Sequence, residues 1–159
     1  MSWGGFAAGI ICFLIILKIY KESFAPWLDI LGISALAGIG VGRIGSFLSG
    51  ELAGRSSDSF IAVRGVYPVT LVEAVILMAA FGLFLILFWY KRIAEAGYYF
   101  LFVVLFYCLV RFGLDFLRVD SIVWLGLTLS QIVSAVISLL IIIYIFIRMF
   151  LSKRGVRYA

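Results

Sequence analysis

Pro68-Val69-Thr70-Leu71-Val72-Glu73-Ala74-Val75-Ile76-Leu77-Met78-Ala79-Ala80-Phe81-Gly82-Leu83-Phe84-Leu85-Ile86-Leu87-Phe88-Trp89-Tyr90 carries a single charged side chain, Glu73. As a helix rising about 1.5 Å per residue it is about 35 Å long, enough to cross a hydrocarbon layer about 30 Å thick. A buried helix of a soluble protein has no need of so long an apolar surface on every side. Four further runs flank it: Gly4–Lys18, Pro26–Gly50, Gly97–Leu117 and Trp124–Phe150. Lipid offers backbone groups no partner, so all five are expected as helices. The fold class read from the sequence is therefore all-α: a polytopic integral membrane helix bundle of about five spans forming one domain over residues 1–159.

Composition excludes the alternatives. Of 159 residues 65% are apolar and 13% charged, against about 45–50% and 25% in soluble domains. Five spans of about 20 residues take about 100 residues, and the rest leaves no room for a separate soluble domain. Lys and Arg outnumber Asp and Glu by 13 to 8, but the excess lies in short runs beside apolar stretches. There it reports orientation rather than nucleic-acid binding. Histidine is absent, which excludes His-based acid–base chemistry and His-ligated metals. Cys12 and Cys108 fall inside apolar runs and read as small buried hydrophobes, with neither a disulfide nor a thiolate metal site expected.

Lys18, Lys21, Lys91, Arg92, Arg148, Lys153, Arg154 and Arg157, eight of the 13 basic residues, fall on one side of the expected bundle. That side is expected to be cytoplasmic. The N-terminus is then outside as a retained helix, the C-terminus is cytoplasmic, and the Glu51–Tyr67 loop is outside. Trp3, Trp27, Trp89, Tyr90, Tyr98, Tyr99 and Trp124 cluster near run ends, as interfacial anchors do. Ser34, Gly38, Gly42, Ser46 and Gly50 recur every fourth residue and form a smooth stripe, against which a helix packs or a lipid chain or headgroup lodges. Gly40-Val41-Gly42-Arg43-Ile44-Gly45 spells a dinucleotide-binding pattern, but no strand precedes it and it reads as chance.

Four charged side chains stand within the apolar runs: Arg43, Glu73, Arg111 and Asp115. Helix rise puts Arg43 about 10 Å in from Gly50, Glu73 about 8 Å from Pro68 and Arg111 about 9 Å from Leu117. On the topology above these depths coincide in the outer leaflet. Each intramembrane charge costs about 2.5–3.5 kcal/mol at a helix centre, so several at one level point to mutual contact or a polar cavity, hence a functional site. Arg111, Asp115 and Arg118 share one helix face at i, i+4 and i+7, so Asp115 can hold either guanidinium. The same pattern also suits a salt bridge that only joins helices. Arginines incompletely matched by carboxylates suit a phosphate, which guanidinium binds bidentately; at this depth that is a phospholipid headgroup. Glu51 and Glu73 can each orient an arginine or take a proton, and the general base is a carboxylate, a tyrosine or the lipid phosphate itself.

The stretch Gly42-Arg43-Ile44-Gly45-Ser46-Phe47-Leu48-Ser49-Gly50-Glu51-Leu52-Ala53-Gly54-Arg55 resembles the signature GRxGNFxNGExxGR of bacterial prolipoprotein diacylglyceryl transferases. Tyr67-Pro68-Val69-Thr70-Leu71-Val72-Glu73 is similar to that family's HPTQLYE. Leu109-Val110-Arg111-Phe112-Gly113-Leu114-Asp115-Phe116-Leu117-Arg118-Val119-Asp120 is similar to its FRFxxEFFRxPD, Leu129-Ser130-Gln131 to its late MGQ, and Ser2-Trp3-Gly4-Gly5-Phe6 to its HGGL. Order and spacing agree over nearly the whole chain. The departures are Trp3 for the HGG histidine, Ser46 and Ser49 for two asparagines, Tyr67 for a second histidine, and Thr70 and Val72 for Gln and Tyr. Most of these trim hydrogen-bonding capacity, but an indole cannot accept a proton at all, so the departures bear on turnover more than on lipid binding.

The resemblance implies transfer of the diacylglyceryl group of phosphatidylglycerol to the lipobox cysteine of a preprolipoprotein, in the bacterial plasma membrane, with no cofactor. It implies catalytic roles for Arg43, Arg111, Glu51 and Glu73. Substrate binding falls to Ser46, Ser49, Gly50, Gly54, Tyr67, Asp115 and Arg118. Family members carry two spanning helices ahead of the HGG element. The chain thus resembles the C-terminal five helices, either as a piece of a longer protein or with a partner subunit over the polar surface left bare. Two other classes fit the same residues: a catalytically impaired phospholipid-binding or accessory membrane protein, and a small channel that uses the buried charges as an ion path.

Overall fold

The computed structural model describes residues 12, 15, 17–52, 54–90, 95–119, 122–124 and 126–153. Four of its helices are long and apolar enough to cross a membrane: α1 (Phe24–Leu48), α2 (Val69–Trp89), α3 (Tyr98–Asp115) and α4 (Leu129–Lys153). A two-stranded antiparallel hairpin, β1 (Ile122–Trp124) and β2 (Leu127–Thr128), precedes α4. Three of the expected runs match their helices within two residues at each end. The first run, Gly4–Lys18, lies outside the described residues save for Cys12, Ile15, Leu17 and Lys18, as do Trp3, Lys91, Arg92, Arg154 and Arg157.

The last run is corrected at its start, because Trp124, Leu127 and Thr128 lie in strands and Gly126 in a turn, and the helix begins at Leu129. Two local causes stop it there. Gly126 turns the chain at φ +77, a conformation that only glycine adopts cheaply. Thr128 and Gln131 then form a capping box: the Gln131 amide N–H donates to Thr128 Oγ1 (3.2 Å), and the Thr128 N–H donates to Gln131 Oε1 (2.9 Å). Two of the bare N–H groups at a helix start are thereby satisfied.

α1 packs chiefly on α2 and α3 on α4, with α1 also against α3. On α1 the buried positions Asp29, Gly32, Ile33, Leu36 and Gly40 form one helical face. Gly32 meets the Phe100 ring and backbone, and Gly40 meets Met78, so these two permit the close approach. The stripe read from the sequence is not that face. Space is open at its glycines Gly38, Gly42 and Gly50, because neighbours four apart advance about 40° around a helix of 3.6 residues per turn and the stripe winds off the contact. Small polar residues do serve α4, which buries Gln131, Ser134 and Ser138 with Ile141.

The core is Ile33, Leu36, Leu77, Ala80, Tyr99 and Val103, with edge-on ring pairs Phe84–Phe106 and Phe88–Tyr99. Tyr99 is thus corrected from interfacial anchor to core residue; its hydroxyl donates to the Leu87 carbonyl (2.7 Å) near the end of α2. Trp27, Trp89 and Tyr90 are exposed at helix ends. Cys108 is buried and Cys12 exposed, and both are free thiols. Long apolar side chains such as Val75, Leu83, Ile86, Leu139, Ile142 and Phe146 face outward, as lipid-facing surfaces do.

Asp29 is a further charged residue within the runs, beyond the four singled out from sequence. It is buried, and its two oxygens accept the N–H groups of Gly97 (2.7 Å) and Phe100 (2.8 Å). A side chain of α1 thus caps the amino end of α3. Replacing Asp29 with Ala leaves two buried donors bare, at about 1–3 kcal/mol. Thermal unfolding in detergent micelles is expected to show a lowered midpoint, and an unchanged midpoint would show that the cap contributes nothing.

Candidate functional site

At the end of the bundle opposite Asp29, the four helices bring charged and polar groups together. Arg43 continues the buried face of α1, three residues beyond Gly40, and Glu73 lies on the buried face of α2, four residues before Leu77. Glu73 is completely buried. Its Oε2 lies 3.0 Å from Arg43 Nε, 3.5 Å from Arg111 Nη1 and 3.9 Å from Arg118 Nη1. Asp115 Oδ1 lies 3.4 Å from Arg111 Nε and 3.9 Å from Arg118 Nε. The helix-rise expectation that Arg43, Glu73 and Arg111 share one level holds in space.

The fourth helix completes the cluster. Arg111 Nε donates to Ser130 Oγ (3.0 Å), and Thr128 Oγ1 donates to Asp115 Oδ2 (3.0 Å). Gln131 Nε2 donates to the Phe112 carbonyl (3.3 Å). The capping box of α4 is therefore joined to the carboxylate that orients two arginines. Three guanidinia against two buried carboxylates leave the cluster one positive charge. In a low-dielectric setting that charge is felt strongly by an incoming anion. Arg43 has the most exposed side chain of the three, at 23% against 16% for Arg111 and 12% for Arg118. With its Nε beside Glu73, its terminal nitrogens have no protein partner among the described residues.

The loop from α1 to α2 lies over this end. Gly54 bridges to Arg118, Arg55 N donates to the Leu117 carbonyl (3.0 Å), and Arg55 Nε to the Arg118 carbonyl (3.2 Å). A Cβ on Gly54 would collide with the Tyr67 carbonyl, so glycine is required for the two ends of the loop to pass. Fully buried Thr70 donates its hydroxyl to the Glu51 carbonyl (2.8 Å).

Not every residue expected at the site reaches the arginines. The Glu51 side chain is exposed and pairs with none of them among the described residues. Ser49 donates to the Gly45 carbonyl of its own helix (2.9 Å). Ser46 is half-buried without a side-chain hydrogen bond among the described residues, Gly50 is exposed in a turn at φ +84, and Tyr67 is half-buried at the foot of the loop. Thr128, Ser130 and Thr70 belong to the site although sequence reading gave them no role. The Thr-x-x-Gln spacing of a capping box was the available signal for Thr128 and Gln131. Among the described residues no group of three or more acidic or cysteine side chains could hold a metal ion.

Residues 1–147 match the family described as Prolipoprotein diacylglyceryl transferase. The chain is 29% identical to a phosphatidylglycerol–prolipoprotein diacylglyceryl transferase of Streptococcus uberis, over 98% of its own length and 64% of that protein. It is 32% identical to one of Campylobacter curvus, over 84% of its length and 53% of that protein. It is 28% identical to one of Clostridium botulinum, over 90% and 62%. The chain thus spans somewhat under two thirds of the length of these relatives. No solved structure matches it.

Removing Glu73 as Ala leaves three guanidinia facing one another without their shared counter-ion. Breaking a buried pair in this way costs about 3–5 kcal/mol, so Glu73→Ala is expected to lower the unfolding midpoint strongly and Glu73→Gln less. Equal midpoints for wild type and Glu73→Ala would show that the arginines do not depend on the carboxylate. Gly54→Ala is expected to leave the helical circular dichroism intact while raising the proteolytic sensitivity of the α1–α2 loop.

Proposed function

Because the chain belongs to the prolipoprotein diacylglyceryl transferase family, we propose that its arginine cluster holds the phosphate of phosphatidylglycerol while the diacylglyceryl group passes to the lipobox cysteine of a preprolipoprotein. The single residual positive charge of the Arg43–Arg111–Arg118–Glu73–Asp115 cluster carries this reading. It matches the single negative charge of a phosphodiester, and the fork geometry of guanidinium suits its oxygens.

In the reaction the thiol loses its proton, the sulfur bonds to the glyceryl carbon, and the bond from that carbon to the phosphate oxygen breaks. Glycerol phosphate leaves with one more negative charge than the diester had. Arg43 and Arg111 oppose that added charge where it develops, the kind of stabilisation that dominates group transfer in dry sites. Glu73 and Asp115 hold the guanidinia in place and so act as positioning residues. Glu51, exposed and paired with no arginine among the described residues, is the carboxylate left to take the thiol proton. Ser46, Ser49, Gly50, Gly54 and Tyr67 line the approach for the headgroup. The set of basic residues Lys18, Lys21, Lys91, Arg92, Arg148, Lys153, Arg154 and Arg157 supports a reading in which the site opens to the outer leaflet of a bacterial plasma membrane, with the N-terminus outside and the C-terminus in the cytoplasm. The chain is read as one membrane domain.

Purified protein incubated with labelled phosphatidylglycerol and a lipobox peptide is expected to yield lipidated peptide. Arg43→Ala and Arg111→Ala are each expected to lose about 100-fold or more, the scale of removing one oxyanion donor. Glu51→Gln is expected to slow turnover while lipid binding persists. No lipidated peptide from the wild type under any condition removes the transferase reading. Trp3, which cannot act as a base, favours a second reading as a phospholipid-binding relative. Binding of phosphatidylglycerol that weakens in Arg43→Ala, with no product formed, selects that reading.

A further inference from the structure

The most exposed large apolar side chain among the described residues is not on a lipid-facing helix. It is Phe60, 99% exposed, at the tip of the α1–α2 loop, with Ile61 beside it at 37%. The tip is a folded turn. The Ser59 N–H and Ser57 Oγ are joined (3.2 Å), the two serine hydroxyls meet at 3.0 Å, and Ala62 N donates to the Ser59 carbonyl (2.9 Å). Below it Ser57 N bonds the Gly65 carbonyl, Ser56 bridges to Val66, and Arg64 at φ +54 closes the return. The foot is tied to the turn that follows α3 through Gly54 and Arg55. Four residues from Ser56 to Phe60 reach at most about 14 Å, so the tip stays close to the ends of the two spans it joins.

We propose that this loop is a membrane-surface anchor: Phe60 and Ile61 insert among the headgroups of an anionic phospholipid leaflet, and Arg55 and Arg64 lie at the lipid phosphates. An aromatic side chain held out by a structured turn at the level where helices leave the bilayer finds its cheapest environment in the interface. Charge agrees, since residues 54–67 carry Arg55 and Arg64, both exposed, against Asp58 alone. At 99% exposure Phe60 projects from the surface of the described residues and sits in no groove among them. That shape suits insertion into a fluid surface better than the seating of a peptide, which needs a concave site. The inference goes beyond the transferase reading and does not depend on turnover.

The test uses the full chain with Phe60→Trp, reconstituted in vesicles of phosphatidylcholine and phosphatidylglycerol, and subtracts the spectrum of the parent chain with its four tryptophans. The added emission is expected to be blue-shifted, quenched when the lipids carry bromine on the acyl chain near the headgroup, and little affected by aqueous iodide. Adding Arg64→Ser is expected to reduce bromine quenching in anionic vesicles but not in neutral ones. Quenching by iodide and not by brominated lipid overturns the proposal, as does a blue shift that develops only when a lipobox peptide is added. If Arg64→Ser leaves the quenching unchanged in anionic vesicles, the electrostatic part is overturned.

Discussion

One carboxylate oxygen, Glu73 Oε2, lies within 4 Å of three guanidinia drawn from α1, from α3 and from the turn that follows α3. None of these charges would be tolerated alone in hydrocarbon. Each is tolerable because the others are there, so the helices that carry them must meet at this level with this rotation. The apolar contacts among Ile33, Leu36, Leu77 and Val103 are compatible with many small slides of one helix along another. The ionic cluster is compatible with few. Its cost and its geometric selectivity have the same origin, the low dielectric in which the charges interact.

The rest of the site is support for that cluster. Asp115 turns two arginines, Thr128 holds Asp115, and Gln131 holds Thr128, so the order runs inward from a helix cap to the charges. The short β-hairpin before α4 is what sets the cap at this depth, since a helix continuous from Trp124 would carry Thr128 as an ordinary interior residue. The loop over the site is held by backbone hydrogen bonds and by Thr70, whose hydroxyl is sealed from solvent and engaged with Glu51's own carbonyl. An irregular loop survives beside a membrane only where its polar groups are satisfied in this way.

Much of this was legible in the residues. Long apolar runs gave three of the spans to within two residues, because length and hydrophobicity dominate where the solvent is lipid. The ionisable residues stood out against an apolar background, and helix rise alone placed three of them at one level. What was not legible depended on rotation or on the third dimension. The stripe of Ser34, Gly38, Gly42, Ser46 and Gly50 was conspicuous, yet Gly32 and Gly40 make the close contacts. A run of small residues shows that approach is possible on that side and leaves the partner's position open. Tyr99 reads as an interfacial residue from its place near a run end, whereas its burial, its ring contact with Phe88 and its bond to Leu87 show that it faces inward. Asp29 stands close to a helix start, where a charge is ordinary in sequence, and its two acceptor bonds reach another helix.

The bond from Asp29 has a temporal side. A helix whose amino end is closed by a carboxylate from an earlier segment carries bare donors in hydrocarbon until that segment has arrived. Phe100 follows its acceptor by 71 residues in the chain, so during synthesis α1 is already threaded and its carboxylate waiting when the start of α3 enters the bilayer. Order of emergence and order of hydrogen-bond satisfaction agree, and the third span never has to dwell in lipid with its first turn open.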